Sequence, residues 1–134
     1  MSRPILLDTT IFIHYFRKRQ AAMQYLDEFK SSHKWEDRLI SLITAAELYF
    51  GCNSEEQAAA TTEFLQNFKI ISISTETMIK AGELRRNFTG KKKPRLADAL
   101  IATTALLQNA KVHTHNVDDF SWVDGLEVEI PYTV

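Results

Sequence analysis

The chain has 134 residues, of which 45% are hydrophobic and 25% charged, and its formal net charge is −1. That length suits one domain over residues 1–134, the composition excludes disordered and fibrous classes, and the charge excludes a protein that coats nucleic acid by charge alone. One cysteine, Cys52, rules out an internal disulfide and argues against a Cys-built zinc site.

The first apolar run, residues 4–7, reads as a short strand ending at Asp8. Helices are expected over 9–17 and 20–32, the second with Met23, Leu26 and Phe29 at helical spacing. Residues 39–43 read as a strand and 44–52 as a helix, where Thr44-Ala45-Ala46-Glu47 fits a capping box. Ser54-Glu55-Glu56-Gln57 fits the same template and opens a helix to about residue 67. A strand over 68–73 and a helix over 75–88 follow. Residues 89–95 form a basic loop, and Pro94 is placed as the first residue of a helix running to 109, where its missing N–H costs nothing. The chain closes with a strand over 111–114, a turn or short helix over 117–122 and a strand over 127–130. This alternation predicts an α/β sandwich with a mostly parallel sheet, in which ligands gather at the carboxyl ends of the strands.

No run approaches the ~20 apolar residues that cross a bilayer. The first residues lack the apolar stretch and cleavage site of a secretory leader, so the expected compartment is the cytoplasm, without membrane contact.

Several acids fall at strand ends or in the first turns of helices. Asp8 follows its strand directly; it is placed either to cap the next helix or to do chemistry, and Thr9 and Thr10 are alternative caps. Glu47 lies three residues after Thr44 among Ala45, Ala46, Leu48, Tyr49 and Phe50, where a carboxylate is costly unless paired or bound to a metal. Asp98 stands on a helical stripe with Ile101, Ala102 and Ala105, a poor place for a charge in a core, although a helix N-terminus favours one. Asn116, Asp118 and Asp119 follow the strand ending at Thr114, and one or more of them completes the set or merely forms a turn. A pocket lined by such carboxylates repels itself unless a hard cation sits in it, and oxygen-only ligands suit Mg²⁺ or Mn²⁺.

Four stretches resemble the PIN-domain ribonucleases, in particular the VapC-type toxins of toxin–antitoxin pairs. They are Leu6-Leu7-Asp8-Thr9-Thr10-Ile11-Phe12-Ile13, the run from Ile40 through Thr44 and Glu47 to Gly51, Asp98-Ala99-Leu100-Ile101-Ala102-Thr103-Thr104-Ala105, and Thr114-His115-Asn116-Val117-Asp118-Asp119-Phe120 with Gly125-Leu126-Glu127-Val128 after it. Together, in this order, they span nearly the whole chain.

The resemblance implies a three-layer sandwich with four or five parallel strands flanked by helices. It also implies endoribonuclease activity dependent on Mg²⁺ or Mn²⁺, a homodimer, and a cognate antitoxin protein that blocks the site. Carried over by position, Asp8, Glu47 and Asp98 are the core acids and metal ligands. Many members of the family carry an acid where this chain has Asn116, so Asp118 or Asp119 substitutes, or Asn116 holds a water. The family usually has Asn where this chain has Thr10. In the implied mechanism a carboxylate such as Glu47 orients or deprotonates the attacking water, and one metal or two is left open.

Arg85, Arg86, Lys91, Lys92, Lys93 and Arg95 crowd the loop before the Asp98 helix, and a local basic patch steers a phosphate backbone even on a near-neutral domain. Arg85, Arg86, Lys92 and Arg95, with Thr9 and Thr44 beside the acids, are therefore the candidate RNA contacts. Phe12, Tyr15, Phe16 and Met23 are candidates for a dimer or antitoxin surface. Rival readings are a PIN-like module that binds RNA or protein without cutting, a receiver domain, and an aspartyl phosphatase. The last two fit poorly, because Asp8 has no acidic neighbour and the position two residues on is Thr10.

Overall fold

A computed structural model describes residues 3–133; residues 1, 2 and 134 of the expected domain lie outside them. One five-stranded sheet runs through the molecule in the order β3-β2-β1-β4-β5, with β1 at Ile5–Leu7, β2 at Arg38–Ser41, β3 at Lys69–Ile71, β4 at Lys111–His113 and β5 at Val128–Glu129. Every pairing is parallel. Six α-helices connect the strands: α1 at Thr9–Phe16, α2 at Gln20–Ser32, α3 at Leu42–Phe50, α4 at Glu55–Leu65, α5 at Thr75–Arg86 and α6 at Leu96–Leu107. Single 3₁₀ turns precede β2, at Trp35–Asp37, and follow β4, at Val117–Asp119.

The short apolar strands are explained by burial on both sheet faces, as parallel sheets require. Ile5, Leu7 and Ile40 point to one face and pack with Ile11, Phe12, Leu26, Phe29 and Phe68. Leu6, Leu39 and Val112 point to the other and pack with Ile101, Ala102 and Ala105 of α6. The result is three layers, with α5 laid against α6.

The chain builds β2 and β3 outward from one side of β1, then crosses to place β4 on the other side. The strand order therefore reverses between β1 and β4, where their carboxyl ends diverge and open a crevice. Asp8 follows β1 there, and its backbone N–H donates to the His113 carbonyl at 3.0 Å, extending the pairing by one residue.

Three local expectations change. Helix α3 starts at Leu42, because the Ser41 hydroxyl accepts the Ile43 N–H at 3.2 Å and caps it; Thr44 is thus the third helical residue and not a cap. Pro94 lies before α6, whose N-cap position is Arg95, with extended backbone at ψ 147°. Phe12 belongs to the core and not to a docking surface, since packing turns its ring inward, edge-on to Phe68 at 5.2 Å between centroids. Tyr15 is only half-buried, stacked on Phe64, while Phe16 and Met23 remain exposed. The second capping motif forms as expected: Gln57 N–H donates to the Ser54 hydroxyl at 3.1 Å, and the Gln57 side chain accepts the N–H of Asn53.

Candidate active site

Asp8 stands in the crevice between β1 and β4, buried to 4% of its surface. Although it occupies the position before α1, its side chain does not cap that helix. Its Oδ2 instead accepts two hydroxyls, from Thr114 at 2.8 Å and Thr10 at 3.0 Å. Each hydroxyl spends its proton on the carboxylate and its lone pairs on backbone: Thr114 accepts the Asn116 N–H at 2.9 Å, and Thr10 accepts the His115 N–H at 3.4 Å. The turn after β4 is thereby tied to the end of β1. Burial pushes the Asp8 carboxyl above the ordinary carboxylate range, the two threonines oppose this, and the charge of Asp98 adds to it.

Glu47, on α3, is half-buried beside the first turn of α1. Thr9 donates to its Oε1 at 2.9 Å, and the Thr44 hydroxyl lies 3.0 Å from that of Thr9. Thr9 has one hydroxyl proton and gives it to Glu47, so Thr44 donates in turn to Thr9. The buried Thr44 is the fixed end of this relay and orients the carboxylate through it.

Asp98 lies in the first turn of α6, buried to 3%. Arg95 clasps it with two bonds, Nε to Oδ2 at 3.2 Å and Nη2 to Oδ1 at 3.1 Å. This bidentate pair is the chief reason the Arg95 guanidinium is pushed further up its already high range, with Glu47 and Asp119 contributing as well.

Of the three candidates after β4, only Asp119 is partly buried. Burial raises its carboxyl first, the charges of Asp98 and Asp8 raise it further, and Arg95 and Lys92 oppose them. Asn116 and Asp118 are exposed. The 3₁₀ turn thus separates neighbours in sequence by covering one of them in part.

The basic stretch divides. Arg86 and Lys92 are exposed. Arg85 is half-buried, and its Nε donates to the Pro94 carbonyl at 2.7 Å, which pins the loop to α5. Thr10 and Thr114, the partners of Asp8, were not among the residues singled out for the site from sequence. Their legible trace is small: each is a threonine two residues from an expected site residue, Asp8 for Thr10 and Asn116 for Thr114. The Arg95–Asp98 pair has a clearer one, the three-residue spacing within one helical turn.

The donor chemistry suits a hard divalent cation: Asp8, Glu47, Asp98 and Asp119 offer oxygen only, the charge of Asp98 raises the Asp8 carboxyl, and both raise that of Asp119. Among the described residues no three such groups are gathered as tightly as one ion requires; Asp98 is held by Arg95 instead.

An all-parallel doubly wound sheet, with acids at the carboxyl ends of its strands where the order reverses, defines an α/β protein with a carboxylate-lined site. The PIN domain family matches residues 5–126, and the chain belongs to that family. It is 33% identical to Ribonuclease VapC1 of Methanocaldococcus jannaschii over 119 residues, which cover 87% of this chain and 78% of the relative. It superposes on a chain of a toxin–antitoxin complex from Klebsiella pneumoniae with TM-score 0.76 and 32% identity, covering 97% of this chain and 99% of the other. A chain of the Rickettsia felis VapBC2 complex, bound to a DNA fragment from its promoter, gives TM-score 0.71 and 26% identity over 93% of this chain and 96% of the other.

Proposed function

We propose that the chain is an endoribonuclease acting with Mg²⁺ or Mn²⁺, and the toxin of a toxin–antitoxin pair. The observation that supports this is the buried Asp8 at the end of β1, coupled by charge to Asp98 and Asp119, with Glu47 held by Thr9. Four oxygen-bearing acids from four segments of chain are a costly arrangement that a divalent cation offsets, and such an ion can then hold an anionic phosphodiester.

Asp8, Asp98 and Asp119 would hold the ion, which when bound supplies Lewis-acid activation of the phosphate and of the attacking water. Thr10 and Thr114 favour the ionised form of Asp8 against the burial that opposes it, and fix its direction. Glu47, directed by the relay from Thr44 through Thr9, takes the proton of the attacking water. Arg86 and Lys92 hold the RNA backbone beside the crevice. Asn116 and Asp118 act at the rim of the site and not as ligands.

An open groove of about 930 Å³ adjoins Glu47 and is lined by apolar groups of Ile13, Phe16, Leu48 and Phe50. We assign it to an antitoxin segment laid across the entrance, since the related structures are toxin–antitoxin complexes. The description fits a protein with no helix among the described residues long and apolar enough to cross a membrane.

The test is cleavage of total bacterial RNA by the purified full chain with Mg²⁺ or Mn²⁺, beside an EDTA control and the Asp98→Asn variant. Discrete fragments lost in both controls support the reading. A folded, antitoxin-free protein that cuts no RNA class overturns it in favour of a binding module.

A further inference from the structure

The Arg95–Asp98 pair is asymmetric. The Asp98 side chain is 5% exposed and that of Arg95 66%. The carboxylate is fixed in α6 and nearly buried, while the guanidinium approaches from outside on a long flexible stem and can leave without disturbing the core. Its two bonds engage both carboxylate oxygens, so a cation arriving at Asp98 meets a positive charge already seated on each of them. The charges of Glu47 and Asp119 also act on Arg95, so it faces the proposed base and a second proposed ligand as well as Asp98. A buried carboxylate needs a cationic partner, and here the chain supplies one from three residues away.

We propose that Arg95 is an internal counter-ion that competes with the divalent cation for Asp98, so that ion entry and release of Arg95 are one exchange. The inference rests on the proposed role of Asp98 as a metal ligand. Before the ion arrives, Arg95 stabilises the acids and sets the concentration at which the site loads. After it arrives, the guanidinium is free at the mouth of the crevice, on the side of the basic loop. Arg95 is then a positioning residue for Asp98 and not merely a surface contact for RNA.

The exchange has a reciprocal signature. Removing Arg95 is expected to tighten Mn²⁺ binding to the full chain, read by titration calorimetry or by the Mn²⁺ electron-spin signal. For a pair this exposed the expected gain is about fivefold in Arg95→Gln. Arg95→Lys keeps the charge without the two-pronged geometry and is expected to fall between the two. The metal-free melting temperature of Arg95→Gln falls below that of the unsubstituted protein, and saturating Mn²⁺ closes the gap. Independently, the Arg95 side-chain N–H resonance, assigned by its loss in Arg95→Lys, moves on titration with diamagnetic Mg²⁺ toward the position of an unbonded guanidinium.

Unchanged or weaker Mn²⁺ affinity in both variants, with a melting gap that persists in metal and a resonance that stays in place, overturns the exchange and makes the pair a plain helix-end contact. If the unsubstituted protein binds Mn²⁺ and Asp98→Asn abolishes it, that failure leaves the nuclease reading standing. If the unsubstituted protein binds no Mn²⁺, both fall together.

Discussion

The hydroxyl of Thr114 reaches Asp8 across the β1–β4 junction, donating to Oδ2 at 2.8 Å between residues 106 positions apart. The bond holds the carboxylate toward ionisation against the burial that pushes the other way. Thr114→Val keeps the shape and removes the donor. It is expected to cost about 1.5–3 kcal/mol of stability, the usual worth of a hydrogen bond to a charged group, measured by urea unfolding. It also raises the Asp8 carboxyl further, so the rising limb of the cleavage–pH profile moves to higher pH. An unchanged limb with an unchanged urea midpoint would separate Thr114 from Asp8.

Thr9 gives Glu47 its direction, and Thr44 gives Thr9 its own. Thr9→Val is therefore expected to lower cleavage by about 10–100-fold, the range for losing a group that orients a reacting one. Thr9→Ser restores most of it, because the hydroxyl is what acts. Single-turnover cleavage with saturating RNA reads this without interference from binding; a loss in Thr9→Ser with none in Thr9→Val would mean that the methyl packs something essential instead.

Arg85 and Lys92 are both basic residues near the site, yet their substitutions are expected to differ. Lys92→Ala weakens RNA binding and lowers the slope of log affinity against log salt by about 0.7, one phosphate contact on a single strand, while the melting temperature holds. Arg85→Ala breaks the bond to the Pro94 carbonyl and loosens the loop, so its first effect is on thermal stability. Titration of labelled single-stranded RNA at several salt concentrations, beside thermal melts, distinguishes them.

Burial pushes His113, His14 and His115 below the ordinary histidine value of 6.5, with Glu129 partly opposing this at His113. The unfolded chain then binds protons before the folded one does. Stability is full above the unfolded value near 6.5 and is lost as pH falls through the lower folded values. Asp8 carries the opposite sign, since its raised carboxyl favours the folded state on acidification. The informative quantity is thus the difference between the unsubstituted protein and His113→Gln in metal-free thermal melts from about pH 7 to about pH 5. The variant is expected to lose less over that range, and parallel curves would remove His113 from the account.

What the sequence by itself determined was the order of elements and the strand ends that carry the acids. Runs such as Ile5-Leu6-Leu7 are apolar throughout because a parallel sheet buries both faces, so they can be read without a partner strand in view. Asp8, Glu47 and Asp98 stand out because a charge beside such runs needs a reason. The tertiary structure alone decided matters of direction. Phe12 and Phe16 share one short helix, and only packing tells which ring enters the core. Asn116, Asp118 and Asp119 are neighbours in sequence, and the fold half-buries Asp119 while leaving the other two exposed. Thr114 meets Asp8 because β4 crosses back to pair with β1, a contact that no local pattern encodes. Arg95 had the spacing to reach Asp98, but its choice of the buried acid over solvent follows from the depth at which α6 sets that carboxylate.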